Sequence, residues 1–338
     1  MFVMVNRASR QLAAFLFLVA ACSRPAPTGS TTTTTSTTPS TSLTPSSTLT
    51  LTPSSPPTPT PSLTPTPTPS ASPLVTARPY SSFSPRTVPS SPSPLVLVLH
   101  GYGGTGRSQA DYFGILDFAD TKGFYVAFPD GMIDRDQKRY WNATDGCCDF
   151  DHRRPDDVAY LSAVLDDMQA RFAVDPKRVY VMGLSNGGFM SHRLACDLSP
   201  RIAAIVSLAG AQWSEAAKCK PTSPVAVVES HEDADPIVRP DGGIVFSRPN
   251  MMPYPSDRQT VATWAKKNGC TGALTAGKGA LDLNARVAGP DTVVWKYAGC
   301  PVGGDVELWS MTGGAHVPKL EPAWLDLVYA FFMSHPKP

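Results

Sequence analysis

Val179-Tyr180-Val181-Met182-Gly183-Leu184-Ser185-Asn186-Gly187-Gly188-Phe189-Met190 is an apolar β-type run that meets Gly-x-Ser-x-Gly and continues into a helix-forming run. Strand, tight turn and helix in that order place Ser185 on a nucleophile elbow. A Cβ at Gly183 or Gly187 would collide with neighbouring backbone, so glycine is required on both sides of the serine. The helix that follows would aim its N-terminal N–H groups at charge developing beside Ser185. These features predict an acyl-accepting serine, and the rest of the chain should supply a base, an acid and an oxyanion hole.

The chain has 338 residues, and its first part reads differently from the rest. Met1 to Ala21 has Arg7 and Arg10 ahead of an apolar run, Leu12 to Val19, which reads as an export signal too short to favour a membrane span. Val19-Ala20-Ala21-Cys22 resembles a bacterial lipobox and predicts cleavage before Cys22 with lipidation of its thiol; the alternative is an ordinary signal with an incidental cysteine. Residues 22–94 are dominated by Ser, Thr and Pro, and no Asp or Glu precedes Asp111. Such a composition predicts a disordered, extended spacer. Residues 95–338 are then expected to form a single catalytic domain.

Five of the 29 Lys and Arg residues precede Leu95, leaving 24 against 28 Asp and Glu, a formal charge of −4. That mild acidity gives no support to nucleic-acid binding. Apart from Cys22 the cysteines are Cys147, Cys148, Cys196, Cys219, Cys270 and Cys300, an even set that suggests three disulfides in an exported domain. Cys196 with Cys219 and Cys270 with Cys300 each bracket one local excursion. Cys147 and Cys148 are adjacent, a rare pairing, so exchange among these cysteines stays open. No Cys-x-x-Cys occurs and the histidines lack ligand spacing, so no metal is expected.

Leu95 to Leu99 reads as a strand buried on both faces, and His100-Gly101-Tyr102-Gly103-Gly104 follows it as a candidate oxyanion loop. A helix over 108–121, a strand over 124–128 and an irregular excursion over 132–155 come next. The excursion holds Trp141, expected to stack on an aromatic or sugar ring of the substrate, with anchoring of the loop to the core as the alternative. A helix over 156–172 precedes the elbow strand. Further strands are expected over 202–208, 224–229, 293–297 and 306–311, and further helices over 256–267 and 323–333. Alternating helices and apolar strands indicate a mostly parallel, doubly wound sheet of the α/β class. After the 224–229 strand, Asp235 is the expected acid, with Glu232 and Asp233 as chemical rivals. His316, in a small-residue loop after the last strand, is the expected base.

Together these pieces resemble the exported polyhydroxybutyrate-depolymerase-like esterases, a branch of the α/β-hydrolase fold that also holds feruloyl and acetylxylan esterases. The matching residues are His100 to Gly104, Pro129-Asp130-Gly131, Tyr140-Trp141-Asn142 with Cys147-Cys148, Asp156-Asp157-Val158, Gly183 to Gly188, Asp235-Pro236-Ile237-Val238 and Gly313-Gly314-Ala315-His316. The resemblance implies a Ser185, Asp235, His316 triad and an oxyanion hole from the Tyr102 and Asn186 N–H groups. One departure stands out: the family pattern before the acid is His-Gly-Thr-x-Asp, and Glu232 takes the place of its glycine.

The expected activity is hydrolysis of a polymeric or oligomeric ester through an acyl-enzyme, without cofactor. The expected setting is a monomer outside the cell or at its surface, touching membrane only through a lipid anchor. A peptidase on the same fold and a non-catalytic surface lipoprotein binding a polysaccharide or polyester are the rival readings.

Overall fold

A computed structural model describes residues 72–248 and 251–338. The expected export signal, Cys22 and the first part of the expected spacer lie outside the described residues. Folded structure begins well before Leu95. Helix α1 (Pro73–Ala77) is followed by strand β1 (Ser81–Phe83), which pairs antiparallel with a later strand at Val126 to Phe128. The last third of the expected spacer is therefore part of the folded body. The physical reason is a few side chains that break its Ser/Thr/Pro monotony. Arg78 donates to Asp157 Oδ1 at 2.6 Å and to the Asp130 carbonyl at 2.8 Å, and it lies 3.8 Å over the Tyr160 ring. Tyr80 donates to Asp167 at 2.7 Å.

Strand β2 (Ser93–Leu99) is buried throughout. The expected single helix after it is two, α2 (Gly106–Phe113) and α3 (Ile115–Lys122), because Gly114 turns left-handed at φ 64° and ends the first. Strand β3 (Tyr125–Phe128) follows, then a small hairpin of β4 (Met132–Ile133) and β5 (Arg139–Tyr140) inside the excursion. Helix α4 (Asp157–Arg171) is capped by Asp156, whose carboxylate accepts from the Ala159 N–H. Strand β6 (Val174–Leu184) leads through Ser185 into α5 (Asn186–Asp197).

Then come β7 (Ala204–Leu208) and β8 (Ala226–Glu232). Helix α6 (Asp257–Asn268) starts with the expected capping box of Ser256 and Gln259. Three strands, β9 (Leu274–Ala276), β10 (Thr292–Tyr297) and β11 (Val306–Met311), precede the closing helix α7 (Pro322–Ser334). No described helix is long and apolar enough to cross a membrane.

Among the described residues the main sheet has the order β1-β3-β2-β6-β7-β8-β11-β10-β9, parallel from β3 to β11 with antiparallel edges. Both faces are apolar and covered. Leu95, Leu97 and Leu99 pack into one cluster with Leu161, Leu165, Phe189 and Trp264. Val96 and Val98 point the other way, into a cluster with Phe113, Trp324 and Phe332. Two-residue alternation between two apolar layers explains why these strands read as unbroken hydrophobic runs. The chain leaves β2 for β3 on one side and returns to β6 on the other. That reversal is a topological switch point at the carboxyl ends of β2 and β6. The His100 to Gly104 loop and Ser185 sit at those two ends.

Candidate active site

Ser185 occupies φ 55° and ψ −120°, a strained conformation for a residue with a side chain. The turn is too tight for anything but glycine at its flanks. A Cβ at Gly183 would lie 2.4 Å from the Gly187 carbonyl group, and one at Gly187 would lie 2.1 Å from the Leu99 carbonyl oxygen. The Ser185 N–H donates to the Leu208 carbonyl at 2.8 Å, and its own carbonyl accepts from Phe189 at 2.9 Å, so the strain is held by β7 and α5.

Two later loops reach the serine. His316 Nε2 is 2.8 Å from Ser185 Oγ, and His316 Nδ1 is 2.7 Å from Asp235 Oδ2. A carboxylate on Nδ1 keeps the proton there, which leaves the Nε2 lone pair facing the serine hydroxyl. Asp235 is tightly held. Ile237 and Val238 N–H groups donate to Oδ1 at 2.7 and 3.1 Å, and His231 Nε2 lies 3.3 Å from Oδ2. Burial alone would raise the Asp235 carboxyl; the donors from His231, His316 and Ile237 outweigh it and hold the group below the ordinary carboxylate range.

The two rival carboxylates do not touch the imidazole. Glu232 accepts from the Ala315 N–H and Asp233 from the Gly313 N–H at 3.0 Å, so both hold the loop that carries His316.

The oxyanion loop lies against the elbow, since a Cβ on Gly101 would be 3.5 Å from Ser185 Cβ. Among the described residues, the Tyr102 and Asn186 N–H groups have no acceptor within the protein. His100 braces the loop from behind. Its Nε2 accepts from the Gly131 N–H at 2.8 Å and its Nδ1 donates to the Gly101 carbonyl at 2.8 Å. Burial pushes its pKa down to about 4, so it serves as a neutral strut.

Trp141 is not a stacking surface. It is fully buried, its Nε1 donates to the His100 carbonyl at 3.1 Å, and its ring packs against His100. It anchors the excursion because its large apolar face has a pocket beneath the loop. The side chain of Asn186 makes the matching clamp: Oδ1 accepts from the Trp141 N–H at 2.7 Å and Nδ2 donates to the Trp141 carbonyl at 3.0 Å. This second role of Asn186 has no signature in the sequence.

An aromatic cluster gathers around Tyr102, in the loop that follows β2. Tyr102 lies 5.1 Å from Phe150 and 6.4 Å from Phe246, ring centre to ring centre, and Arg248 caps Phe150 at 4.0 Å. Phe246 is 47% exposed.

Deeper in, His192 Nε2 meets Glu229 Oε2 at 2.8 Å and His192 Nδ1 accepts from Trp264 at 3.0 Å. Burial pushes the glutamate pKa up and the histidine pKa down, so this pair is a structural polar network beneath the elbow helix.

The disulfides are Cys147–Cys148, Cys196–Cys219 and Cys270–Cys300. The two bracketing pairs form as the spacing suggested, and the adjacent cysteines pair with each other.

A family model described as esterase PHB depolymerase matches residues 79–268. The chain belongs to that family. The match begins ahead of Leu95, in agreement with the early start of the folded body. The chain is 36% identical over 154 residues to a putative esterase, NocK, of Nocardia uniformis subsp. tsuyamanensis, covering 45% of this chain and 42% of that protein. It is 28% identical over 230 residues to feruloyl esterase B of Piromyces equi, covering 66% and 39%. It is 26% identical over 251 residues to poly(3-hydroxyalkanoate) depolymerase C of Paucimonas lemoignei, covering 68% and 56%. The alignments thus span less than half the length of the first two relatives. An acetyl xylan esterase from Aspergillus awamori superposes with a TM-score of 0.52 at 15% identity, over 75% of this chain and 92% of that one, and shows the shared α/β-hydrolase fold.

Proposed function

We propose that this protein is a serine ester hydrolase working through an acyl-enzyme. The observation that carries the reading is the unbroken chain Ser185 Oγ, His316, Asp235, beside two unspent N–H groups. Ser185 Oγ attacks the ester carbonyl carbon as its proton passes to His316 Nε2. The carbonyl oxygen becomes an oxyanion and accepts from the Tyr102 and Asn186 N–H groups, each donor of this kind contributing roughly 3–4 kcal/mol to the transition state. The bond to the alcohol oxygen then breaks, and His316 returns its proton to that oxygen. Water repeats the sequence on the acyl-enzyme and releases the acid.

The aromatic cluster supports an ester with an aromatic or otherwise apolar group beside Tyr102, of the hydroxycinnamoyl or short hydroxyalkanoate kind. A rate panel of methyl ferulate, acetylated xylan, hydroxybutyrate oligomers and a peptide tests this. Preference for the peptide would overturn the esterase reading. Phe246→Ala is expected to raise KM for methyl ferulate about three- to tenfold with little change in kcat, the scale of one aromatic contact at ~0.5–1.5 kcal/mol. An unchanged KM would remove Phe246 from the substrate wall.

Export and anchoring through Cys22 belong to the same proposal and are supported by the sequence alone. Cells expressing the full chain with radiolabelled palmitate should incorporate label in the wild type and lose it in Cys22→Ala; equal labelling would exclude the anchor.

A further inference from the structure

We propose that Glu232 is a positioning residue that hangs the His316 loop from the end of strand β8, resting on the Ser185, His316, Asp235 reading above. Glu232 is the last residue of β8 and pairs in register with Met311, the last residue of β11. The loop bearing His316 starts at the next residue, so the carboxylate sits beneath it.

Two donors converge on that carboxylate. The Ala315 N–H, one residue from the imidazole, donates to Oε2, and Asn284 Nδ2 donates to Oε1 at 2.9 Å. Asn284 Nδ2 also reaches the Thr312 carbonyl at 3.1 Å, closing a ring through the loop. Asn284 is itself fixed, its N–H donating to Asp291 Oδ2 at 2.9 Å. The loop crosses so closely that a Cβ on Gly313, at φ +152°, would lie 2.6 Å from Glu232 Oε2 and 2.8 Å from Asn284 Nδ2. Glu232 is 2% exposed, so water does not substitute for either partner.

The chemistry of the pair of donors specifies the side chain. Two N–H donors arriving from opposite sides need two acceptor oxygens, which an ionised carboxylate has and an amide does not. A glutamine of the same size turns an NH2 toward one of the two donors. A glycine in this place leaves the Ala315 N–H without this acceptor and Asn284 Nδ2 with the Thr312 carbonyl alone. Glu232 therefore ties the base-bearing loop to the acid-bearing segment. The tie acts one residue from His316, where a small shift changes the Nε2 to Oγ approach.

The test is steady-state hydrolysis of p-nitrophenyl acetate by wild type, Ser185→Ala and Glu232→Gln, with thermal unfolding of each. Glu232→Gln is expected to lower kcat by about 10²-fold, the scale of an ångström of misplacement, with KM unchanged. Glu232→Asp keeps the charge and shortens the reach by one methylene; it is expected to lose less, and it carries the test if the glutamine variant does not fold. Loss of melting temperature with unchanged kcat, or kcat and KM falling out of proportion in the opposite sense, would overturn the proposal. Wild-type protein inert toward the ester would overturn the underlying triad reading; active wild type with an unaffected Glu232→Gln would overturn this inference alone.

Discussion

Replacing Ser185 with alanine is expected to lower kcat for p-nitrophenyl acetate by about 10⁶-fold, the loss seen when a triad nucleophile is removed elsewhere. The expectation is large because the proposed acyl-enzyme forms on this hydroxyl, which His316 Nε2 faces from 2.8 Å. What survives should be the water reaction, aided by the oxyanion donors, still about 10³–10⁴ above the uncatalysed rate. The variant should fold. Ser185 Oγ has His316 as its bonded partner, and the backbone bonds of Ser185 to Leu208 and Phe189 are independent of its side chain. Retention of more than a few per cent of activity would mean that Ser185 is not the nucleophile. A mass increase of the wild type, but not of the variant, after treatment with a phosphonate ester would identify the same oxygen directly.

The second large effect is expected at Asp235. Asp235→Asn should cost about 10⁴-fold in kcat, because an amide can donate to His316 Nδ1 and so favour the tautomer with its proton on Nε2. In that form Nε2 faces the serine hydroxyl with a hydrogen instead of a lone pair. The same substitution leaves His231 and the Ile237 and Val238 N–H groups with an altered partner, so some loss of stability should accompany it. Asp233→Asn is expected to cost less than about tenfold, since Asp233 is exposed and its side chain accepts only from the Gly313 N–H, a bond the Oδ1 of asparagine can keep. Equal losses at the two positions would overturn the assignment of the acid.

Much of this arrangement was legible from the chain because it rests on backbone requirements. Gly183 and Gly187 mark the elbow for a steric reason that holds in any protein, and the strands beside them are apolar on both faces because both are covered. The acid was less legible: Glu232, Asp233 and Asp235 are alike in chemistry, and only the turn after β8 decides which one faces His316. Trp141 stayed open between substrate wall and core anchor for a related reason. A tryptophan in a long loop offers the same ring to solvent or to core, and the choice depends on the distant His100 and Asn186. The start of the folded body was obscured by composition. Averaged over its length, the Ser/Thr/Pro tract looks unable to bury a core, yet Arg78, Tyr80 and Phe83 suffice to dock its end. Short elements such as β4, β5 and β9 carry too few residues for a periodic signal. The disulfide between Cys147 and Cys148 joins neighbours, so spacing alone could not separate it from an exchange of partners.

Ser185, Asp235 and His316 all hang from the ends of strands in one sheet, whereas Phe150 and Phe246 ride on connecting segments outside it. That separation has an evolutionary consequence. On the proposed reading, mutations that exchange one ring for another, or lengthen the segments that carry them, would alter which ester is accepted without disturbing the relay beneath. On that reading, lineages sharing this scaffold would change ester preference by small steps with the relay intact. A directed-evolution library confined to the segments around Phe150 and Phe246 samples that same freedom.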